Sequence, residues 1–330
     1  MPSPHPSWLA SAPSRDGLIE LSRPRAYAHD ESAYDAAYDS DPENTRVGHG
    51  VCDLVRRFQG DVSRPALEIG AGTGLVSLGL VERSPYPIAI ISDPSPAFLR
   101  IVRRKVERLA PARADSAVYA VLMGEELDPI PDGALSLVVL RSTLHHVLDV
   151  DGFLNQVGRV LAPGGLLIMQ EPCMEGYVLM GAMIQFLPEL ARAAGRSLTP
   201  QEIAKVAEFR DTMAFYARRD MDKTHAEDKH LFRVDELMCS CARAGMRLEF
   251  LPNTMFEHAC GDEAEGRERS RFGRFFRDYA HYCMSFPSSL LERFDEHLAP
   301  YCAMVESASG GGSGPYMHGV FVGIKTSSRA

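Results

Sequence analysis

Leu67-Glu68-Ile69-Gly70-Ala71-Gly72-Thr73-Gly74 carries the plainest chemical signal in the chain. An apolar run ends in three alternating glycines and a helical pattern follows, so the backbone can pass close to a ligand while helix-start amides face it. Such a loop binds a cofactor. The dinucleotide fingerprint G-x-G-x-x-G needs glycine at 75, where Leu75 stands and the third glycine falls at 74, so a nicotinamide cofactor is disfavoured. Asp93 ends the next apolar run, with helix N-capping as its bland alternative. Arg141, His145, His146 and Glu171 stand at or just after the ends of two later runs, where ligands of open parallel sheets bind. Histidines and carboxylates there are candidate bases, set against packing and loop-stabilising roles. Arg141 could orient an acidic group or touch the cofactor, against a structural hydrogen-bonding role.

The elements that must position these groups follow from periodicity. Apolar runs at Ala66–Ile69, Ile88–Ile91, Leu135–Leu140 and Leu166–Gln170 alternate with helical patterns such as Phe98–Leu109 and Gly152–Leu161, which predicts a doubly wound parallel sheet open at both edges. Val47–Phe58 reads as a helix ahead of it. Tyr27, Tyr34 and Tyr38 precede the sheet as a lid would. Beyond Glu171 comes a helical region broken by Pro188 and Pro200, then a helix at Val234–Ala244, a strand at Arg247–Leu251 and a final strand at Met317–Lys325, expected to be antiparallel. The organisation expected is a flexible leader over 1–24, lid and cofactor-binding core over 25–172, and helical cap over 173–233. A core helix and strand over 234–255, a second helical insertion and loop over 256–316, and a last strand and tail over 317–330 complete it.

Acidic residues outnumber basic ones 44 to 35, for a formal charge of -9, the wrong sign for collecting nucleic-acid phosphates. No apolar stretch is long enough to span a bilayer, and the amino end lacks a secretory pattern, so the expectation is a cytoplasmic protein. Seven scattered cysteines argue for reduced thiols rather than a disulfide framework or zinc ribbon. Asp220, Asp222, His225, Asp228 and His230 have irregular spacing that reads as a solvated turn, and no metal is expected.

The pattern E-x-G-x-G-x-G at Glu68–Gly74 resembles the first motif of the class I S-adenosylmethionine-dependent methyltransferases. The resemblance continues through Asp93, through Pro129-Ile130-Pro131-Asp132-Gly133 before the Leu135 run, and through Leu144-His145-His146-Val147, Leu161-Ala162-Pro163-Gly164-Gly165 and Glu171-Pro172. It implies an α/β, doubly wound, Rossmann-like sheet of seven strands with two helical insertions, and S-adenosylmethionine as cofactor. It implies cofactor contacts from Glu68, Gly70, Ala71, Gly72, Gly74, Asp93, Pro94, Gly124, Glu125, Arg141 and Tyr34. Asp93 is matched to the acid that binds ribose hydroxyls. Two departures stand out: Gly124 replaces the usual adenine-binding aspartate, and Ser136 replaces an aspartate before the fourth strand. The implied activity is methyl transfer to a small or medium-sized organic acceptor, at oxygen first, with His145, His146 and Glu171 as catalytic candidates. The rival is a catalytically silent cofactor-binding or scaffold protein. A homodimer is left open.

Overall fold

The computed structural model describes residues 6–25, 30–38, 45–258, 271–309 and 315–327. A turn of helix, α1 (Ser7–Ala10), precedes β1 (Ser14–Arg15), β2 (Leu18–Glu20), α2 (Glu31–Tyr38) and α3 (Arg46–Arg57). The α/β core follows as β3 (Ala66–Ile69), α4 (Ser77–Arg83), β4 (Ala89–Asp93), α5 (Pro96–Leu109), β5 (Ala117–Val121), β6 (Leu135–Arg141), α6 (Val150–Val160) and β7 (Leu161–Pro172). Then come α7 (Met174–Ile184), α8 (Leu187–Ala193), α9 (Pro200–Ala217), α10 (Val234–Arg243), β8 (Met246–Pro252), α11 (Phe272–Tyr282), α12 (Ser288–Arg293), α13 (Ala299–Ala308) and β9 (His318–Lys325).

The strands form one sheet in the order β1-β2-β5-β4-β3-β6-β7-β9-β8. From β2 to β7 all neighbours are parallel, and β9 runs antiparallel to both β7 and β8. Chain order reverses between β3 and β6, and ligands of open α/β sheets bind in the crevice at such a switch point. The expected seven-stranded sheet is present and extended to nine strands. Of the seven, β5 was the one the sequence reading did not locate, although the apolar run from Ala117 carries its signal.

The additional strands lie in the segment expected to be a flexible leader, which is corrected here. Ile19 and Glu20 pair with Ala120 and Val121, and Leu9 and Leu18 are buried in the core. Proline and serine dominate the local composition, whereas the ordering comes from a partner strand distant in sequence.

Local signals explain the elements beside the crevice. Ser95 caps α5, its Oγ accepting from Phe98 N, with proline in the first turn. Phe98, Leu99, Val102 and Val106 then face inward at helical spacing. One face of the sheet buries Leu67, Ile69, Val138, Leu140 and Leu167 beneath α6 and α10; the other buries Leu137, Val139, Leu166 and Val322 beneath α3 and α4. Fully burying one such side chain is worth about 1.5–3 kcal/mol.

The two insertions are not separate layers. Met180, Ile184, Phe209 and Met213 from the first share one buried cluster with Phe272, Phe276, Phe294 and Leu298 from the second, and with Met317 ahead of β9. The first insertion closes on itself, since Phe232 N donates to Pro172 O (3.1 Å) and Met174 N to Phe232 O (2.8 Å). Cys260 and the Gly310–Gly314 loop lie outside the described residues. Among the described residues no helix is long and apolar enough to cross a membrane.

Candidate active site

The floor of the crevice is the turn between β3 and α4. Gly70, Gly72 and Gly74 have φ of +72°, +53° and +105°, the left-handed region that disfavours any side chain. Gly72 N donates to Asp93 Oδ2 (2.9 Å) and Ser95 N to Asp93 Oδ1 (2.8 Å), so Asp93 ties the loop to the end of β4. Burial raises the Asp93 carboxyl to about 6 against the pull of those two amides. Each oxygen keeps a lone-pair site free for a ligand hydroxyl. Glu68 is buried and accepts from Ser77 Oγ (2.6 Å); burial lifts it to about 7. It supports the loop from below.

The rim comes from segments distant in sequence. Tyr34 stacks near Phe98, ring centroids 5.1 Å apart, and its Cε1 lies 3.7 Å from where a Cβ on Gly72 would stand. Lys105 joins this lid to the loop, donating to Asp35 Oδ1 (2.6 Å) and Thr73 O (3.0 Å). Lys105 escaped the sequence reading, although a lysine within the apolar stripe of α5 is a visible signal. Tyr27 and the Tyr38 side chain lie outside the described residues. The amino-terminal arm forms another edge: Met123 N donates to Ser22 Oγ (2.8 Å) beside Gly124, and Arg25 N to Pro94 O (2.9 Å). A Cβ on Gly124 would approach Ile69 Cγ2 at 3.3 Å, and exposed Glu125 accepts from Leu148 N (3.3 Å). Deleting residues 1–24 should therefore weaken S-adenosylhomocysteine binding about tenfold in calorimetry. Unchanged affinity would separate this arm from the site.

The opposite wall is the turn after β6. Glu171 Oε1 accepts from Thr143 N (2.9 Å) and Leu144 N (2.7 Å), while Oε2 accepts from His145 Nδ1 (2.7 Å). His145 Nε2 faces Asp228 Oδ1 at 3.4 Å. Burial opposes protonation of His145, but the Glu171 and Asp228 carboxylates prevail and raise it to about 9. His146, deprived of solvent and beside that imidazolium, is shifted downward; its Nδ1 donates to Glu227 O (2.9 Å). Glu171 and His145 thus lock the turn, with both Glu171 oxygens and both ring nitrogens of His145 facing partners.

Of the residues once considered for a cation, Asp220 is paired with Arg218 and Asp222 caps Thr224 N; Asp228 instead joins His145 and His146, with ligating atoms within 4.8 Å of one another. Those three could hold a metal ion; in this arrangement the His145 ring lies between the Glu171 and Asp228 carboxylates. Ser136 lies at the amino end of β6, bonded to Asp61, away from the site. Burial raises the Cys52 thiol to about 11 and Cys173 further still, so neither is a ready thiolate. His225 is exposed, and His258 is buried with neither ring nitrogen partnered. Arg141 ends β6 half-buried, and His318, absent from the sequence candidates, starts β9.

Residues 67–169, from the glycine loop to the middle of β7, match the family described as Methyltransferase domain. Over these residues the chain carries a methyltransferase domain. The methyltransferase domain is 35% identical over 106 residues to demethylmenaquinone methyltransferase of Thermus thermophilus, covering 32% of this chain and 46% of that protein. It is 31% identical over 120 residues to trans-aconitate 2-methyltransferase of Methylobacterium radiotolerans, covering 36% of this chain and 42% of that protein. The matches span less than half the length of either relative. A Galdieria sulphuraria structure, of a protein assigned as a sarcosine dimethylglycine methyltransferase, aligns over 90% of this chain and 98% of its own. Its TM-score of 0.52 at 12% identity is a likeness of fold alone. S-adenosylmethionine is the cofactor that the sequence resemblance implies for such a domain. The residues fit it: a glycine cradle that a Cβ would strain, with a buried carboxylate beside it.

Proposed function

We propose that this protein transfers a methyl group from S-adenosylmethionine to a small or medium-sized organic acceptor, at oxygen. The observation that carries the reading is the carboxylate of Asp93 held against the Gly72 amide at the mouth of the glycine loop, under Tyr34. The cofactor, when bound, supplies a methyl on a cationic sulfur. The chain's task is then to orient an acceptor, and orientation can supply on the order of 7–11 kcal/mol. Tyr34 and the Lys105–Asp35 tether cover the loop and exclude water. The names of the two relatives, a demethylmenaquinone and a trans-aconitate methyltransferase, support a small organic acceptor. With Glu171 and His145 committed to the turn after β6, an oxygen that has already lost its proton suits the site best.

Calorimetry should show S-adenosylhomocysteine binding at least about tenfold tighter than NAD. Equal binding would sink the cofactor assignment. Labelled methyl transfer to a panel of organic acids and phenols should then give turnover. Tight cofactor binding without turnover across acceptors of every class would favour the silent scaffold.

A further inference from the structure

Two cationic or polar groups at the carboxyl end of the sheet make no side-chain hydrogen bond or ion pair with a described residue. Arg141 is the last residue of β6, and it pairs in register with Gln170 of β7. His318 opens β9 opposite Pro172, one strand further along the same end. Side chains alternate along a strand. Arg141 therefore shares a face with Leu137 and Val139, and His318 with Val320 and Val322, and these four residues belong to one buried cluster. Both groups thus project on the same face, at the carboxyl end of the sheet.

Each is expensive as it stands. The Arg141 side chain makes no hydrogen bond or ion pair with a described residue, and its Nε is buried without a partner. His318 is 6% exposed with neither ring nitrogen satisfied. An unsatisfied buried polar group costs about 1–3 kcal/mol, more when charged. Burial, followed by the nearby Arg141 charge, brings His318 down to about 4, so the imidazole is neutral and keeps one N–H to donate. The two groups therefore offer one positive charge and several donors.

Above it lies aromatic surface. The Phe275 ring centroid is 5.4 Å from that of His318, Phe275 stacks with Tyr279 at 6.2 Å, and Tyr177 meets Phe275 edge-on at 5.9 Å. Phe275 and Tyr279 remain partly open to solvent. A planar guanidinium beside an imidazole N–H matches a carboxylate, and the aromatic side chains above match an apolar body.

We propose that Arg141 and His318 seat the carboxylate of an acceptor whose remaining body is apolar or aromatic, the guanidinium acting as a handle that orients it. The assignment rests on the methyltransferase reading. The cofactor's own amino-acid carboxylate is the other source of the same chemistry, and the experiment separates the two.

The intact chain is saturated with S-adenosylhomocysteine and titrated, by ligand-observed NMR, with phenylacetate, 3-phenylpropionate and cyclohexanecarboxylate and with the primary amide of each. At least one acid should bind about tenfold or more tighter than its amide. Arg141→Met should erase that preference and leave S-adenosylhomocysteine affinity within about threefold, while His318→Asn should weaken the acid severalfold. No preference for any acid, or a preference that survives Arg141→Met, overturns the proposal. So does a loss of S-adenosylhomocysteine affinity in Arg141→Met with unchanged binding of 5′-methylthioadenosine, which lacks the amino-acid portion. A wild-type chain that fails to bind S-adenosylhomocysteine would overturn the methyltransferase reading itself, and this seat with it.

Discussion

Gly72→Val should lower S-adenosylhomocysteine affinity about 100-fold or more, close to 3 kcal/mol, while leaving the chain folded. Two independent effects point the same way. Gly72 has φ of +53°, and a β-branched residue in that region costs on the order of 1–3 kcal/mol, so the loop would relax away from its cradle shape. A Cβ there would stand 3.7 Å from Tyr34 Cε1, so the two γ-methyls would project into the space beneath the lid. Relaxation would also break the hydrogen bond that the Gly72 N–H donates to Asp93, and with it the carboxylate's position. Calorimetric titration checks the affinity and far-ultraviolet dichroism the fold. An affinity within about threefold of wild type would remove the loop from the site.

The glycine loop was legible because its chemistry is local: backbone demanding positive φ needs glycine wherever the chain folds. The four expected parallel strands were legible for a similar reason, since strands buried on both faces must be nearly continuous apolar runs. β1 and β2 were not legible, because two or three residues carry no periodicity and their order comes from Ala120 and Val121, far along the chain. The pair Leu144-His145-His146 was visible, but its role depends on Asp228, which the sequence leaves in a polar stretch with no mark distinguishing it from Asp220 or Asp222. His318 did carry a signal: an ionisable residue opening an otherwise apolar final strand.

The cap shows the same limit. In the sequence, the methionines and aromatics of the two insertions fit either an apolar acceptor pocket or packing between the two helical layers. Together they bury one another, Phe209 lying 5.4 Å from Phe276 and 5.7 Å from Phe286. Excising 256–309 would therefore strip Phe209 and Met213 of their packing, and loss of turnover in such a variant would report on folding as much as on the acceptor. Single substitutions at the crevice edge are the cleaner probes.

The largest stability change is expected at Glu171. Glu171→Ala would leave the Thr143 and Leu144 amides without their acceptor and the buried His145 imidazolium without its nearer carboxylate, a loss of about 3–5 kcal/mol in urea unfolding. Glu171→Gln, which keeps an acceptor oxygen, should lose less. The same contacts dictate a pH dependence. His145 is raised in the folded chain from 6.5 to about 9, so its stabilisation is fully present below pH 6.5 and is lost as pH rises through about 9. The shift corresponds to about 3 kcal/mol at most. Buried Asp93 and Glu68 titrate at the low edge of this window in both proteins, so the informative quantity is the wild-type free energy minus that of His145→Asn. That difference should shrink steadily between pH 6.5 and 9. A difference that stays flat would mean His145 is neutral in the folded chain, free to take a proton from an acceptor, and would return it to the list of bases.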